Sequence, residues 1–214
     1  MRTRPDRRLP AAAVVGLSYA CGSIPFSGLA ARLVAGVDLR VTGTGTVSGS
    51  GLYEVAGFGP MALAGGLDLA KGAVGPLLAG RGRPVLAAVS AGATVAAHNW
   101  SPWLRGAGGR GVSVALGATV VSAPEATAVL ATGLAVGRLV RQTGLGCFVA
   151  LVVMTGLLAR RRGVRGAVLG ASIALPMLAK RLAGNHPPAS EGRGRVLLSR
   201  LLFDRDPAPA RAAA

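Results

Sequence analysis

His98 and Asn99 stand near the end of a charge-free apolar run, Pro84 to Leu104. Gly108-Gly109-Arg110-Gly111 follows before another apolar run opens at Val112. Imidazole, amide and guanidinium are thus gathered where a hydrophobic segment meets water. Such groups are costly beside lipid and are expected to face protein or solvent. Glycines let backbone N–H groups converge on an anion, and Arg110 can add a charge-assisted bond. The chemistry open to this stretch is phosphate handling at a membrane surface. A second tract, Gly43-Thr44-Gly45-Thr46-Val47-Ser48-Gly49-Ser50-Gly51, follows Asp38 and Arg40. Small hydroxylated residues between glycines suit a loop that approaches a ligand closely. The same composition also gives a flexible linker. Asp68 and Lys71 lie i, i+3 inside the apolar segment Val55 to Gly80. There they form an internal ion pair or mark a functional site, or Lys71 snorkels from a helix end to the headgroups.

These groups must be positioned by elements that are mostly hydrophobic. The chain has 214 residues, enough for one domain with a real core, and a net charge of +16. Its mean hydropathy is +0.51. A soluble nucleic-acid binder should show basic faces and stacking aromatics. Here aromatics are only 4%, and the charges sit between apolar runs, so no nucleic-acid partner is expected. An integral membrane protein fits better. With 33 glycines in the chain, no glycine motif is decisive alone. Cys21 and Cys147 both lie in apolar runs and give neither metal spacing nor a disulfide framework. His98 and His186 are the only histidines, too few for a multi-histidine metal site, and no metal or cofactor is expected.

Residues 1–8 are a basic N-terminal segment. Leu9 to Ala31 is then charge-free and long enough to span a bilayer. A basic start before an apolar stretch also fits a signal peptide, but the run continues past Cys21 and more spans follow. Gly36 to Glu54 reads as a loop. Val112 to Val136 contains Pro124-Glu125 and reads better as two short helices than as one span with a mid-bilayer carboxylate. Gln142 to Ala159 is the cleanest later span, and Gly166 to Ala179 is shorter. From residue 183 the chain is a tail. Val196 to Phe203 within it predicts a surface helix, and the rest predicts disorder. The expectation is an all-α polytopic membrane domain over 9–182. It has about seven transmembrane helices with short re-entrant or cytoplasmic motif loops. Both faces would carry similar numbers of basic residues, so the positive-inside rule does not set the orientation.

Taken together, the motifs resemble the bacterial acyl-phosphate:glycerol-3-phosphate acyltransferase family, whose members are called PlsY. Its Gly-Ser-Ile-Pro-Phe element is matched by Gly22 to Phe26, and its Asp-Ile-Arg step by Asp38-Leu39-Arg40. Its Gly-Ser-Gly-Asn loop corresponds to Gly43-Thr44-Gly45-Thr46, and its Asp-x-x-Lys-Gly to Asp68, Lys71 and Gly72. Its Gly-His-Asn and Gly-Gly-Lys-Gly-Val pieces look like Ala97-His98-Asn99 and Gly108-Gly109-Arg110-Gly111-Val112. The resemblance implies a multi-pass protein of the bacterial inner (plasma) membrane with its motif loops on the cytoplasmic face. It implies transfer of a fatty acyl group from acyl phosphate to the 1-hydroxyl of glycerol 3-phosphate, giving lysophosphatidate and inorganic phosphate. It leaves the oligomeric state open. By the same resemblance, Arg40 with Gly43, Thr44 and Gly45 would hold one phosphate. Gly108, Gly109, Arg110 and Gly111 would hold a phosphate too, and Lys71 would add charge. His98 and Asn99 would orient reacting groups, or His98 would move a proton. Ser23 would bond a ligand or a neighbouring helix.

This chain also departs from the family pattern. Thr44, Thr46, Ser50 and Gly51 replace the loop's Ser, Asn and following Thr-Asn. Glu54 stands where an arginine is expected. Arg110 replaces a lysine and changes donor geometry. Val140 to Gly144 lacks a counterpart to a Ser-Leu-x-Ser element. Of a late His-Arg-x-Asn-Ile-x-Arg-Leu element only Lys180-Arg181-Leu182 is recognisable, with Leu175 and Leu178 where His and Asn would fall. A second reading follows: a catalytically impaired paralogue acting as a membrane scaffold or phospholipid-binding protein. A small transporter is a weaker third, because no internal repeat is visible.

Overall fold

The computed structural model describes residues 8–187 and 192–206. The basic start, apart from Arg8, and the chain after Asp206 lie outside them. Among the described residues there is no strand. The helices are α1 (Ala11–Ser23), α2 (Phe26–Ala35), α3 (Gly49–Ala56), α4 (Phe58–Ala79) and α5 (Pro84–Asn99). After them come α6 (Val112–Ser122), α7 (Pro124–Leu139), α8 (Thr143–Ala183) and α9 (Arg193–Phe203).

Proline and glycine punctuate these helices. Pro25 separates α1 from α2, and Gly36 ends α2 in the left-handed region. Pro84 and Pro124 open α5 and α7 at positions where a missing N–H costs nothing. The expected break at Pro124-Glu125 is present, with Ala123 between α6 and α7. α8 is interrupted at Gly163, whose φ of 59° lies in the left-handed region. Its arms, 143–162 and 164–183, fold back on each other, because Gly166 faces the Leu158 carbonyl and Gly170 faces Thr155. The stretch Gly36 to Glu54, read from sequence as a loop, contains a 3-10 turn at Leu39–Val41 and α3. The cause is local: Ser48 caps α3 by accepting from the Gly51 N–H at 3.4 Å.

Three stretches are long and apolar enough to cross a membrane: Ala11–Ala35, Phe58–Ala79 and Thr143–Ala183. The expected seven is not reached by that measure, because α5, α6 and α7 have only 16, 11 and 16 residues and the two arms of α8 count as one stretch. Eleven residues rise about 16 Å, roughly half the hydrocarbon thickness. An apolar core of Ala88, Val95, Val114, Leu130, Leu151, Met154 and Ile173 joins α5 to α8. In lipid, helices associate through close packing of small residues, not through water exclusion. Gly72 of α4 lies against the Val114 carbonyl of α6, and Gly117 of α6 against the Leu69 carbonyl of α4. A Cβ built on Gly22 of α1 would fall 2.5 Å from the Thr94 carbonyl oxygen of α5. These contacts fix where the ends of α1, α4, α5 and α6 meet, and the polar residues gather there.

Candidate active site

The loop from Asp38 to Ser48 packs beside the turn between α5 and α6. Gly43 and Gly45 both take positive φ, 52° and 67°, which an L side chain adopts only with strain. The Gly45 N–H donates to the Thr42 carbonyl at 2.9 Å, and Thr44 Oγ1 donates to Thr46 Oγ1 at 3.1 Å. The Val47 N–H donates to the Gly108 carbonyl at 3.2 Å, joining the two glycine-bearing loops. Asn185 reinforces the joint: its Nδ2 donates to the Gly45 carbonyl at 2.9 Å and to the Gly108 carbonyl at 3.4 Å. His186 rests on Gly45, where a Cβ would fall 2.5 Å from its Nε2.

The second loop is stacked on the end of α5. Gly108 sits on the backbone of His98 and Asn99, and Gly109 lies under the His98 imidazole, leaving no room for a Cβ at either. Gly111 adopts a φ of 74° and turns the chain into α6. Asn99 is fully buried, and its Nδ2 donates to the Pro176 carbonyl of α8 at 3.0 Å. It therefore fixes α5 to α8 through a backbone contact. Its Oδ1 is buried with no partner.

Beneath His98 lies a buried ion pair. Asp68 Oδ1 is 2.8 Å from Lys71 Nζ and 3.8 Å from His98 Nδ1. Lys71 Nζ also donates to the Ile24 carbonyl at 2.6 Å and lies 5.3 Å from the Phe26 ring centroid. Ser23 is committed as well. Its hydroxyl donates to the Ala20 carbonyl at 2.7 Å and accepts from Trp103 Nε1 at 2.9 Å, while its carbonyl accepts from Ser101 Oγ. The groove beside it, about 240 Å³, is lined by Ile24, Pro25, Leu29, Trp103 and Leu104 with Arg32 at one side.

A cavity of about 520 Å³ opens over this arrangement. Thr44, Thr46, Ser48 and Ser50 line one wall, Asp68 and His98 another, Arg110, Gly111 and Arg181 a third, and Asp204 closes it. Arg110 Nε is 2.7 Å from Asp204 Oδ1, and its Nη1 donates to the Lys180 carbonyl at 3.3 Å. Burial raises the Asp204 pKa, with Arg110 and Arg181 pulling it back. Arg181 Nη1 donates to the carbonyls of Gly144 and Leu201, which holds α9 against α8.

Among the residues singled out from sequence, Thr44, His98, Arg110 and Gly111 therefore share one cavity. Gly43, Gly45, Gly108 and Gly109 shape the loops around it. Lys71 stands behind the cavity wall, one ion pair away through Asp68. Arg40 points elsewhere. Its Nη2 is 2.6 Å from Asp38 Oδ2, and Arg32 binds the same oxygen at 2.8 Å. Hydrogen bonds from Arg40, then Arg32, hold the Asp38 carboxyl well below the usual carboxylate range. Arg40 does not line the cavity. Asp204, Arg181 and Asn185 were not singled out as site residues. Asn185, in Gly184-Asn185-His186 directly after the Lys180-Arg181-Leu182 remnant, is the one with a local signal. Asp204 has none, being 94 positions from Arg110.

The glycerol-3-phosphate acyltransferase family model matches residues 12–185. A protein of Dehalococcoides mccartyi (strain ATCC BAA-2266 / KCTC 15142 / 195), glycerol-3-phosphate acyltransferase 5, is 33% identical over 202 residues. That match covers 88% of this chain and 85% of the relative. The glycerol-3-phosphate acyltransferase of Desulforudis audaxviator (strain MP104C) is 37% identical over 142 residues, covering 64% and 70%. The fold matches the crystal structure of PlsY (YgiH), an integral membrane glycerol 3-phosphate acyltransferase, in its glycerol 3-phosphate form. The TM-score is 0.73 at 24% identity, covering 89% of this chain and 93% of that one. Its lysophosphatidic acid form matches with a TM-score of 0.71 at 22% identity.

Proposed function

Because the chain belongs to the glycerol-3-phosphate acyltransferase family, we propose that it acylates the 1-hydroxyl of glycerol 3-phosphate with acyl phosphate as donor. The cavity shared by Arg110, the hydroxyl-rich loop and His98 carries this reading. Phosphate is the group common to both substrates, and a planar guanidinium beside clustered hydroxyls matches its donors and charge. Thr44, Ser48 and Ser50 supply hydroxyls, Gly43 to Gly45 hold the loop open, and Arg110 supplies the cation. Asp204 sits on Arg110 and competes with an incoming phosphate.

In the reaction the glycerol oxygen attacks the acyl carbonyl carbon. A new carbon–oxygen ester bond forms, the bond from the acyl carbon to the bridging phosphate oxygen breaks, and phosphate leaves with that electron pair. The hydroxyl proton passes to His98 or to the departing phosphate. A phosphate leaving group is already good, so positioning and charge stabilisation supply most of the rate. Lys71 reaches the site through Asp68, which holds the negative charge facing His98. The groove of Ile24, Leu29 and Trp103 receives the acyl chain. The membrane domain, 9–182, is built from seven membrane segments, α1, α4, α5, α6, α7 and the two arms of α8, of which α6 reaches through about half the hydrocarbon thickness. Its home is the bacterial inner membrane, with the site on the cytoplasmic face.

Purified protein given equal concentrations of acyl phosphate and acyl-CoA tests this. Lysophosphatidate and inorganic phosphate should form from acyl phosphate alone. Equal turnover with acyl-CoA, or binding of glycerol 3-phosphate with no product from either donor, would remove the proposal.

A further inference from the structure

A second cavity, about 510 Å³, opens at the other end of α5. Pro84 and Ala87 line it, whereas His98 lines the first. Pro84 and His98 are about 20 Å apart along the helix axis at 1.5 Å per residue. Three guanidinium groups meet in this cavity: Arg81 from the turn between α4 and α5, and Arg162 and Arg165 from opposite sides of the Gly163 break. Arg162 is fixed in place. It pairs with Glu125 at 2.7 Å and donates to the Ser122 carbonyl at 2.7 Å. Arg81 and Arg165 have no partner among the described residues. The Ser122 side chain lines the same cavity, and its Oγ is buried without a hydrogen-bond partner. Pro76, Val121 and Leu169 complete the wall with aliphatic surface.

The charges do not balance from within. Glu125 neutralises one guanidinium and leaves two. Unpaired cations at the edge of a bilayer attract anions, and guanidinium matches the oxygens of a phosphate. Aliphatic surface on the same wall suits a ligand that carries hydrocarbon behind its anion. Free phosphate shares the anion but leaves that surface bare. We infer that this cavity binds the phosphate of an anionic phospholipid headgroup, at the membrane face opposite the acyl-transfer site. Arg81 and Arg165 grip the phosphate oxygens, and Arg162, held by Glu125, forms the wall.

The experiment uses purified full-length protein in detergent, titrated separately with phosphatidylglycerol, phosphatidylcholine and inorganic phosphate. Lipid retention is read by native mass spectrometry and stability by Tm. Wild type should retain phosphatidylglycerol over phosphatidylcholine and gain Tm with it. The Arg81→Ala/Arg165→Ala double variant should lose that retention by about tenfold, and Arg81→Lys/Arg165→Lys should recover part of it. Neither residue lines the first cavity, so the acyl-transfer rate of both variants should stay near wild type, which shows that they are folded. Equal retention of phosphatidylglycerol by wild type and the alanine variant would overturn the inference. So would binding of inorganic phosphate alone.

Discussion

Gly22→Ala tests whether helix packing sets the site geometry. The new Cβ would lie 2.5 Å from the Thr94 carbonyl oxygen and 2.8 Å from Thr94 Cα. Ordinary contact is about 3.4 Å, so α1 and α5 must part by about 0.9 Å in a close-packed interior. The neighbour is backbone and cannot swing aside. Overpacking of this kind costs about 1–3 kcal/mol. The displacement reaches the site at both ends of the contact. Ser23 and Ile24, which follow Gly22, supply carbonyls to Ser101 and Lys71. His98 lies one helical turn beyond Thr94. A misplacement near 1 Å costs about 10²-fold in rate. Gly16→Ala is the matched control on the same helix, because nothing lies within 4 Å of its added Cβ. The assay is Tm in detergent together with kcat/KM for glycerol 3-phosphate. Gly22→Ala should lower both, and Gly16→Ala neither. Wild-type kcat/KM and Tm in Gly22→Ala would show that this contact does not position the reacting groups.

Other substitutions separate the roles of the remaining side chains. Asp204→Asn removes the carboxylate from Arg110 and should lower KM for glycerol 3-phosphate by about fivefold, with kcat little changed, a difference near 1 kcal/mol. An unchanged or higher KM would show that Asp204 does not compete with substrate. Since burial raises the Asp204 pKa, the carboxyl stays protonated to a higher pH than when unfolded. Competition therefore sets in as pH rises through the shifted value, and the KM difference between wild type and Asp204→Asn should shrink on acidification. His98→Gln should lower kcat by about 10²-fold if the imidazole takes the proton, with a smaller change in KM. Lys71→Met strands Asp68 and should cost about 3–5 kcal/mol. The Asp68→Asn/Lys71→Met double variant should recover stability, and recovery of activity with it would mark Lys71 as a positioning residue. Asn185→Ala unties the two glycine loops and should raise KM several-fold at nearly constant Tm, read from the same kinetics.

Much of the helical frame was legible. Pro124 marks the α6–α7 break because proline opens a helix, and the apolar patch before Phe203 became α9. Asp68 and Lys71, three residues apart, form the pair that i, i+3 spacing allows. Arg40 was expected, by resemblance, to hold a phosphate with Gly43 to Gly45, and in the structure it pairs with Asp38 across a 3-10 turn. Short-range pairing of that kind competes with any ligand and was open to the same spacing argument. Helix number is harder. Gln142 to Ala159 and Gly166 to Ala179 were read as two separate segments, and the break at Gly163 falls between them, whereas α5, α6 and α7 are shorter than a full crossing needs. The chemistry that sequence did not place comes from far along the chain. Asp204 and Asn185 reach the site only because α8 returns to the same end of the bundle and Arg181 holds the following segment against it. No local pattern encodes that return.

On the proposed reading, the loop at Gly43 to Ser50 and the turn at Gly108 to Gly111 grip one phosphate between them. A crystal or electron cryo-microscopy structure of the wild-type protein with glycerol 3-phosphate bound measures this directly. The phosphorus should lie in the cavity between the Thr44 and Ser48 hydroxyls and Arg110, with the Asp204 carboxylate displaced. Glycerol 3-phosphate found outside that cavity, with the Arg110–Asp204 pair intact, would contradict it.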